Sequence, residues 1–493
     1  MKRIVRMLLS RTSLILLLLL AQIVLFLLLI DYISQFRYLN TAFYIISVAI
    51  VIYLITKEEN PIYKLSWIIP ILIFPLFGGL FYLLYRQRNL SKRVLLRHMN
   101  IDSSRSAYVS TNENPLGTKD ANYLNNLNWP TYSNTKTDFL ASGEALFQAM
   151  LSDLKSAEKY IFLEFFVINK GSMWTQILNV LKEKANQGIE IKIIYDDFGS
   201  STLPYRYIKV LKSYGIDAVN FNPMRLHLNF AMNYRDHRKT VVIDGKIAYT
   251  GGSNIGDEYI NLISPFGHWQ DAGIRLEGDA VWSLIIGFLG NWRFSRRCDI
   301  DYSSYKVNHR IISQGYVIPF TDTPLDKETT TKNIYLSLIS QATDSILITS
   351  PYLIIDHELT TSLKYAAKSG IKVKIIIPYI PDKRIVFMVT ESYVPELMEA
   401  GVEVYRYQPG FIHSKMMIAD EKRALIGTAN LDFRSLYLHF ENSVYLEQTS
   451  SIAEMVEFFN QTILRSTYIE NFGKRNIFYR IIQILLRGFS SIM

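Results

Sequence analysis

Cysteine is almost absent from this chain of 493 residues, in which Cys298 stands alone. A single thiol excludes an intramolecular disulfide and a cysteine-rich metal site. The eight histidines are scattered, and the chain contains neither an HExxH motif nor the paired cysteines of the common zinc motifs. The sequence therefore predicts a protein that works without a metal ion or another cofactor.

An excess of basic residues is missing from most of the chain. Residues 101–493 contain 41 basic and 41 acidic side chains, whereas residues 1–100 contain 12 basic and 3 acidic ones, so the net charge of +9 belongs to the N-terminal fifth. Nucleic-acid-binding proteins normally carry a basic face, and the neutral remainder argues against a nucleic-acid partner. A basic flank beside apolar segments is instead attracted to anionic lipid headgroups.

Three apolar stretches open the chain, at residues 14–30, 41–56 and 65–85. A membrane-spanning helix needs about 20 apolar residues, so the first stretch is short, the second is doubtful and the third is long enough. The basic residues before the first stretch would also fit a removable signal peptide. Because two more apolar stretches follow, we predict that residues 1–98 anchor the protein in a membrane through two or three segments.

The orientation of these segments is open. Basic residues mark the cytoplasmic side, and they cluster both before the first stretch and after the third. Three complete crossings cannot place both clusters inside. Either one segment lies in the interface or re-enters, which leaves two spans, or the N-terminus is outside. Both solutions place the large C-terminal part in the cytoplasm.

The rest of the chain is predicted to be a duplicated α/β structure. Residues 99–135 are rich in Ser, Asn, Thr and Tyr and are typical of a polar linker. Helical and strand-like segments then alternate in the same order through residues 136–310 and 311–473, the first and second halves; GIEIKIIY at 188–195, for example, parallels GIKVKIII at 370–377. Helices that alternate with buried strands indicate α/β layers.

The strongest repeat carries chemical groups. Residues 237–254 read HRKTVVIDGKIAYTGGSN, and residues 413–430 read HSKMMIADEKRALIGTAN. Five positions, occupied by His, Lys, Asp, Gly and Asn, coincide in the two copies. One His beside one Lys on a strand is usually an ordinary pair of residues, but two copies in register indicate a duplicated functional unit.

Each copy is predicted to form a β-hairpin. Residues i and i+2 of a strand project from the same face, so His237 and Lys239 should project together, as should His413 and Lys415. Each hairpin would then present one imidazole and one ammonium group.

The aspartates that complete the two motifs fall at the hairpin turns. Asp244 and Gly245 form a strong two-residue turn signal, and Asp420 occupies the same position in the second copy. Aspartate is a preferred turn residue. We therefore expect Asp244 and Asp420 to belong to the catalytic motifs mainly as structural residues that hold each hairpin in place.

These motifs resemble the HxK(x)4D(x)6GSxN signature of the phospholipase D superfamily, which also occurs in two copies. The chain departs from it where Gly252 and Thr428 replace the signature serine. The pairing of GGSN with GTAN is similar to bacterial cardiolipin synthases, and so is the apolar segment between residues 60 and 84. The resemblance implies two α/β halves related by a pseudo-twofold axis, with facing hairpins, after an N-terminal transmembrane region.

Two acids are expected to support the histidines. Aligning WQDAGIRLEG with HFENSVYLEQ places Asp271 opposite Glu441, and the family's histidine-supporting acids fall at these positions. Such an acid fixes the imidazole tautomer and stabilises its cation. A solvated acid at a strand edge is the alternative for Asp271. Glu164 and the pair Asp196-Asp197 stand at strand ends and are further candidates.

Attack on a phosphodiester suits this set of side chains. Lys239 and Lys415 would neutralise the phosphate, and Asn254 and Asn430 would donate hydrogen bonds to its oxygens. Ser253 and Thr428, in the Gly-rich ends of the motifs, are expected to contact substrate. One histidine would act as the nucleophile and the other would protonate the leaving alkoxide; the resemblance implies that His237 attacks and His413 is the acid.

The reaction implied by the resemblance is cardiolipin synthesis from two molecules of phosphatidylglycerol, through a phosphatidyl-histidine and with release of glycerol. The D-x-x-D-G-x-x-A-R motif of the synthases that use a CDP-activated lipid is absent. A hydrolase of the phospholipase D type, a transferase to another alcohol and a nuclease would use the same site. An inactive binder of anionic lipids is the non-enzymatic alternative.

The C-terminal residues 474–493 combine apolar residues at helical spacing with Lys474, Arg475, Arg480 and Arg487. The pattern is typical of a basic helix that lies in a membrane interface. A terminal helix packed on the catalytic domain fits it equally well. Together with the N-terminal segments, this tail predicts a multi-pass protein of the bacterial cell membrane.

Overall fold

The computed structural model describes residues 37–57, 61–73, 117–223, 233–326, 328–470 and 476–490, together with a few isolated positions between residues 24 and 109. The described residues divide into two compact units. The first contains helices α1 (Arg37–Thr56) and α2 (Pro61–Ile73). The second contains the remaining helices and all the strands described below.

Helices α1 and α2 hold much of the second apolar stretch and the start of the third. Within the described part of the chain, no helix is both long enough and apolar enough to cross a bilayer. The first stretch, residues 14–30, lies outside the described residues except for the single helical positions Val24 and Leu28.

The second unit begins with helix α3 (Lys119–Asn126), inside the segment that the sequence predicts as a polar linker. Ala121 and Leu124 of this helix are completely buried, as is nearly all of Trp129 after it. Tyr132 then pairs with Val317 through two backbone hydrogen bonds. A few buried side chains are therefore enough to fix this polar stretch on the second half.

The first half contributes one sheet and the helices around it. Its strands are β1 (Thr135–Leu140), β2 (Tyr160–Phe165), β3 (Glu190–Asp196), β4 (Asp217–Phe221), β5 (Arg235–Asp236), β6 (Lys239–Ile243), β7 (Ile247–Gly251), β8 (His268–Gln270) and β9 (Gly273–Gly278). Its helices are α4 (Gly143–Ser156), α5 (Ser172–Asn186), α6 (Tyr207–Ser213) and α7 (Val281–Arg296). The seven-stranded sheet has the order β1-β9-β7-β6-β2-β3-β4.

The second half repeats this plan. Its strands are β10 (Tyr316–Asp322), β11 (Ser345–Thr349), β12 (Leu353–Ile354), β13 (Lys372–Pro378), β14 (Glu403–Tyr407), β15 (Gly410–Ile412), β16 (Met416–Ala419), β17 (Arg423–Gly427), β18 (Leu431–Asp432), β19 (His439–Glu447) and β20 (Ser466–Tyr468). Its helices are α8 (Thr330–Ser340), α9 (His357–Lys368), α10 (Arg384–Met398), α11 (Phe433–Tyr437) and α12 (Ser450–Leu464), and α13 (Ile477–Gly488) follows.

The two sheets have the same strand order. The second runs β10-β19-β17-β16-β11-β13-β14, with β20 added at the end, so each of its first seven strands corresponds to one strand of the first sheet. The directions also agree: among these seven strands of each sheet, two neighbouring pairs are parallel and four are antiparallel. The mixed α/β class predicted from the alternating segments is confirmed.

Helix α7 joins the two sheets. It packs against β10 of the second sheet and against β4 and β6 of the first, and for this reason nearly every residue from Val281 to Trp292 is buried. A helix that is apolar on all sides is expected in such an enclosed position. Gly287 permits the close approach, since a Cβ atom there would lie 2.6 Å from Cγ2 of Thr321.

Candidate active site

Each repeated motif forms a tight hairpin. Strand β6 pairs with β7, and β16 pairs with β17. Both turns place two consecutive residues at positive φ, 53° and 69° for Asp244 and Gly245, and 54° and 55° for Asp420 and Glu421. Paired positive φ values are the geometry of the hairpin turn whose twist matches that of the flanking strands.

The two motif aspartates anchor these turns. The Asp244 carboxylate accepts hydrogen bonds of 2.7–2.9 Å from the backbone N–H groups of residues 158–160. Asp420 accepts from the N–H groups of residues 343–345 in the same way. Each aspartate stands at the turn end of its strand, whereas the histidine precedes the other end. Both carboxylates thus bind mainly the backbone where the strand beside the hairpin begins, and Asp420 also contacts the Thr343 hydroxyl and Arg423.

The histidines are held by the opposite half of the molecule. Strand β5, which precedes His237, pairs with the start of β19, and β15, which precedes His413, pairs with β8. The His237 N–H donates to the carbonyl of Phe440, and the His413 N–H donates to the carbonyl of Gln270. The two halves therefore exchange strands at the site.

The acid that supports each histidine also comes from the opposite half of the molecule. Nδ1 of His237 lies 2.9 Å from Oε1 of Glu441 in the second half, and Nδ1 of His413 lies 2.7 Å from Oδ2 of Asp271 in the first. Both carboxylates are completely buried. Each acid engages Nδ1, which leaves Nε2 of the imidazole for the substrate. The sequence alignment placed the two acids in equivalent positions, but it did not reveal that each serves the histidine of the other half.

Burial controls the protonation of these pairs. It lowers the pKa of His237 to about 3 and that of His413 to about 4, against the opposing effect of Glu441 and Asp271. Burial by itself would raise the pKa of both acids, but the neighbouring imidazoles and lysines outweigh it and lower the pKa of each carboxyl. The free site thus favours neutral imidazoles beside ionised carboxylates.

The motif lysines are almost completely buried. The ammonium group of Lys239 donates to the carbonyl of His237, and that of Lys415 donates to the carbonyl of His413. Burial lowers the pKa of Lys239 to about 8 and that of Lys415 to about 7, while Glu441 and Asp271 act in the opposite direction. Because the charge of Lys239 also lowers the pKa of Lys415, the two copies share one electrostatic environment.

The two motif asparagines differ in their contacts. Asn254 accepts from the N–H of Val167 and donates to the Tyr259 hydroxyl at 2.8 Å, so both ends of its amide are occupied. Asn430 donates to Asp432 at 3.1 Å, while its buried Oδ1 has no hydrogen-bond partner. Asn254 therefore holds loops together, and its Nδ2 would have to leave Tyr259 to reach a phosphate.

The residues at the signature serine positions explain the departure from the family pattern. The Thr428 hydroxyl donates to Oε2 of Glu441 at 2.5 Å and fixes that carboxylate. In the first copy no side chain fits, because a Cβ atom on Gly252 would lie 2.0 Å from Oδ1 of Asp271. Ser253 is buried, and its hydroxyl has no hydrogen-bond partner.

Aromatic rings enclose both histidines, and sequence reasoning missed them. His237 lies against Phe166 and His439, with ring centroids 5.0 and 5.3 Å away. His413 is surrounded by Tyr259, Trp269 and Phe411 at 5.0–5.8 Å. Trp269 begins the segment WQDAGIRLEG, which contains Asp271, and His439 begins HFENSVYLEQ, which contains Glu441. The alignment of these two segments could therefore have identified both rings.

His439 and Trp269 occupy equivalent positions, two residues before the acid. Trp269 donates its Nε1–H to Asp271 at 3.3 Å. Nδ1 of His439 lies 3.6 Å from Oε1 of Glu441, beyond hydrogen-bonding distance, and it has no hydrogen-bond partner. His237, His439 and Glu441 form a group that could hold a metal ion, the one such group found among the described residues.

The other acids picked out from the sequence lie beneath the first motif. Glu164 faces Arg238 at 3.6 Å and Asn291, and Asn291 also donates to Asp236. Asp196 accepts from the backbone of residues 198, 199 and 236. Burial raises the pKa of Glu164 and raises that of Asp196 to about 6. These contacts mark Glu164 and Asp196 as buried structural groups, while Asp197 accepts from Asn220.

Comparison with known proteins shows which families and relatives this chain matches. Residues 150–263 and 335–463 match the family described as "Cardiolipin synthase, PLD-like domain", and residues 42–87 match "Phospholipase D-nuclease N-terminal". Cardiolipin synthase 2 of Bacillus anthracis is 35% identical over 454 residues, 89% of this chain and 88% of that protein. The cardiolipin synthase of Halalkalibacterium halodurans is 34% identical over 466 residues, 91% and 92% of the two chains.

The fold is also found in a solved structure. Phosphatidylserine synthase of Haemophilus influenzae Rd KW20 superposes with a TM-score of 0.59 and covers 76% of this chain and 98% of its own length. At 15% identity, this likeness concerns the fold alone. Relatives above 30% identity match most of the present chain. The chain therefore belongs to the cardiolipin synthase family of the phospholipase D superfamily, a family of phosphatidyltransferases.

Proposed function

We propose that the protein joins two phosphatidylglycerol molecules into cardiolipin and releases glycerol. The observation that carries the proposal is the reciprocal arrangement of two histidine–acid pairs, each accompanied by a buried lysine. Two imidazoles are what a two-step phosphodiester exchange requires, one to carry the phosphatidyl group and one to move the proton. The relatives named as cardiolipin synthases support the choice of lipid.

In the first step, Nε2 of His237 attacks the phosphorus of one phosphatidylglycerol. The bond from phosphorus to the glycerol oxygen breaks, and the imidazolium of His413 gives its proton to that oxygen, so that glycerol leaves. The bound anionic phosphate favours one added proton in the site; with that proton on His413, His237 stays neutral and can attack. Glu441 and Asp271 hold the two tautomers.

In the second step, His413 takes the proton of a terminal hydroxyl on a second phosphatidylglycerol. The hydroxyl oxygen attacks phosphorus, the phosphorus–nitrogen bond to His237 breaks, and cardiolipin forms. Lys239 and Lys415 neutralise the phosphate oxygens in both steps. One phosphodiester replaces another, so the cycle consumes no nucleotide and needs no metal ion.

Two roles in the motifs follow from the contacts. We propose that Thr428 positions Glu441 through its hydroxyl and that its contribution to substrate binding is indirect. Besides Nε2 of each histidine, Oδ1 of Asn430 and the hydroxyl of Ser253 have no hydrogen-bond partner, so they are open to a hydroxyl group of the substrate or to water.

We further propose that the protein is a multi-pass protein of the bacterial cell membrane. Residues 1–98 would anchor it, residues 99–135 would connect the anchor to the two catalytic halves at 136–310 and 311–473, and these halves would face the cytoplasm. The match of residues 42–87 to an N-terminal family segment and the basic N-terminal fifth support this. Anionic lipids, phosphatidylglycerol among them, would then be its partners.

A direct assay separates the candidate functions. Purified protein in mixed micelles with phosphatidylglycerol should yield cardiolipin and glycerol in equal amounts. Phosphatidic acid as the main product would instead identify a hydrolase, and no product would identify a lipid binder. His309→Ala is a suitable control, since His309 pairs with Glu277 away from the motifs and its loss should leave turnover unchanged.

A further inference from the structure

Helix α13 (Ile477–Gly488) exposes its apolar face. Six large apolar side chains are 41–74% exposed: Ile477, Phe478, Ile481, Ile482, Ile484 and Leu485. Their spacing of three and four residues places them on one side of the helix. An amphipathic helix of a soluble domain normally turns this side inward, and here the orientation is reversed.

The polar side of α13 is bound to the catalytic unit. The Tyr479 hydroxyl donates to Glu391 at 3.0 Å, the Gln483 amide donates to the carbonyl of Met388 at 2.8 Å, and Arg487 donates to Glu396 at 2.7 Å. These three side chains recur at every fourth position, and their partners all lie on α10 (Arg384–Met398). The Arg487 guanidinium also lies 4.1 Å from the centre of the Tyr393 ring.

The contacts fix which way the apolar face points. A stripe of hydrogen bonds along α10 holds the helix, so it cannot roll to bury Ile477, Ile481 and Ile484 without breaking them. The two alternatives left by the sequence, a packed helix and an interfacial helix, are thus both satisfied: the polar stripe packs on the domain while the apolar stripe stays free for another surface.

Charge identifies that surface. Residues 476–490 carry Arg480 and Arg487 and no acidic side chain, and Lys383, Arg384 and Ile385 at the start of α10 are exposed as well. Two copies of the chain would bring cationic faces together and repel one another. An anionic lipid surface offers apolar acyl chains for the isoleucines and negative headgroups for the exposed Arg480, Lys383 and Arg384.

Helix α13 is connected to the catalytic residues through α10. Asp382, just before α10, accepts from the Tyr352 hydroxyl at 2.6 Å. Tyr352 packs against Phe411, and Phe411 packs against His413. A surface that receives α13 and the start of α10 therefore lies a short chain of side-chain contacts from the site that would accept a lipid phosphate.

We propose that α13 is a docking helix that seats the catalytic unit on an anionic bilayer surface. The helix inserts its apolar stripe at the boundary of headgroups and acyl chains, while Tyr479, Gln483 and Arg487 keep it attached to α10. The proposal concerns a contact with the membrane and does not depend on which phospholipid reaction the site performs.

A fluorescent probe on the full-length protein tests the proposal. With Cys298→Ser removing the native thiol, Ile484→Cys carries an environment-sensitive dye, and Tyr365→Cys, at a side chain 73% exposed on α9, is the matched control. Both proteins are reconstituted in vesicles that contain phosphatidylglycerol. The dye at residue 484 should shift to the blue and be quenched by lipids with brominated acyl chains, whereas the dye at residue 365 should do neither.

Three outcomes would overturn the proposal. Equal, water-like emission from residues 484 and 365 in phosphatidylglycerol vesicles would show that the helix does not enter the interface. A blue shift at residue 484 that appears without lipid and grows with protein concentration would identify a second copy as the occupant. Arg480→Glu should weaken the lipid-dependent shift at least several-fold, and an unchanged shift in that variant would remove the anionic surface from the proposal.

Discussion

At the scale of residues, the two half-sites carry the same reactive groups in different surroundings. Thr428 fixes Glu441 with a hydroxyl, while Gly252 leaves room for Asp271. His439 stands beside Glu441 where Trp269 stands beside Asp271. These differences give the two imidazoles unequal proton affinities, which favours one of them as the proton carrier in the cycle.

The first prediction concerns Glu441 and Asp271, the acids that each pair with the histidine of the other half. Glu441→Gln should lower kcat by about 10³–10⁴ with little change in KM, since the amide cannot stabilise the imidazolium or fix the tautomer. Asp271→Asn should have an effect of similar size. Steady-state kinetics in micelles would check this, with Glu457→Gln on the exposed side of α12 as the control. Turnover within tenfold of the parent for either variant would contradict the assigned role.

The second prediction uses the motif lysines. Their pKa values of about 7 and about 8 mean that the free site loses positive charge as the pH rises through this range, and anion binding weakens with it. The value of kcat/KM should therefore fall above about pH 7–8. Lys415→Arg keeps its charge at higher pH, so its alkaline limb should move upward even if its maximum activity is lower. An unchanged limb would show that another group titrates.

At the scale of elements, the hairpin is the repeated unit, and the sequence predicted it well. The spacing of His237, Lys239 and the Asp244 turn predicted two strands and a tight turn, and these are observed. The pairing of β5, β8 and β15 with strands of the opposite half could not be predicted from the sequence, because strands of two or three residues have no detectable periodicity. Their register is set by pairing with the other half.

The third prediction separates anchoring from chemistry. Asp244→Ala leaves three backbone N–H groups without their acceptor, one in a buried and two in partly buried hydrogen bonds, and an unsatisfied buried donor costs about 1–3 kcal/mol. The free energy of unfolding should fall by several kcal/mol, about half as far for Asp244→Asn, which keeps one acceptor oxygen. Denaturant unfolding of detergent-solubilised protein would measure this. A variant of normal stability without activity would instead make Asp244 catalytic.

At the scale of the whole molecule, duplication was visible in the sequence and the exchange between halves was not. The echo of residues 188–195 in residues 370–377 predicted equivalent strands, and they are β3 and β13. Nothing in a one-dimensional pattern tells that Asp271 serves His413 and that Glu441 serves His237, since both acids lie far from their histidines along the chain. A half expressed by itself would lack the acid of its own histidine.

The fourth prediction concerns the metal. Because Lys239 and Lys415 supply the positive charge, turnover should persist in excess chelator and without nucleotide. Since His237, His439 and Glu441 could bind an added ion, Zn²⁺ should inhibit the protein, and His439→Asn should weaken that inhibition. Loss of activity on chelation, restored by one divalent ion, would contradict the metal-independent cycle.

The central claim is that His237 carries the phosphatidyl group while His413 transfers the proton. A phosphatidyl donor with a phenolic leaving group releases phenolate without protonation by His413. It should therefore transfer its phosphatidyl group to His237 in the His413→Ala variant, where the adduct stays stranded. Mass spectrometry of the digested protein should locate the phosphatidyl group on His237 in that variant and find none in His237→Ala. An adduct on His413 in His237→Ala would reverse the assignment, and the absence of any adduct in both variants would contradict covalent catalysis.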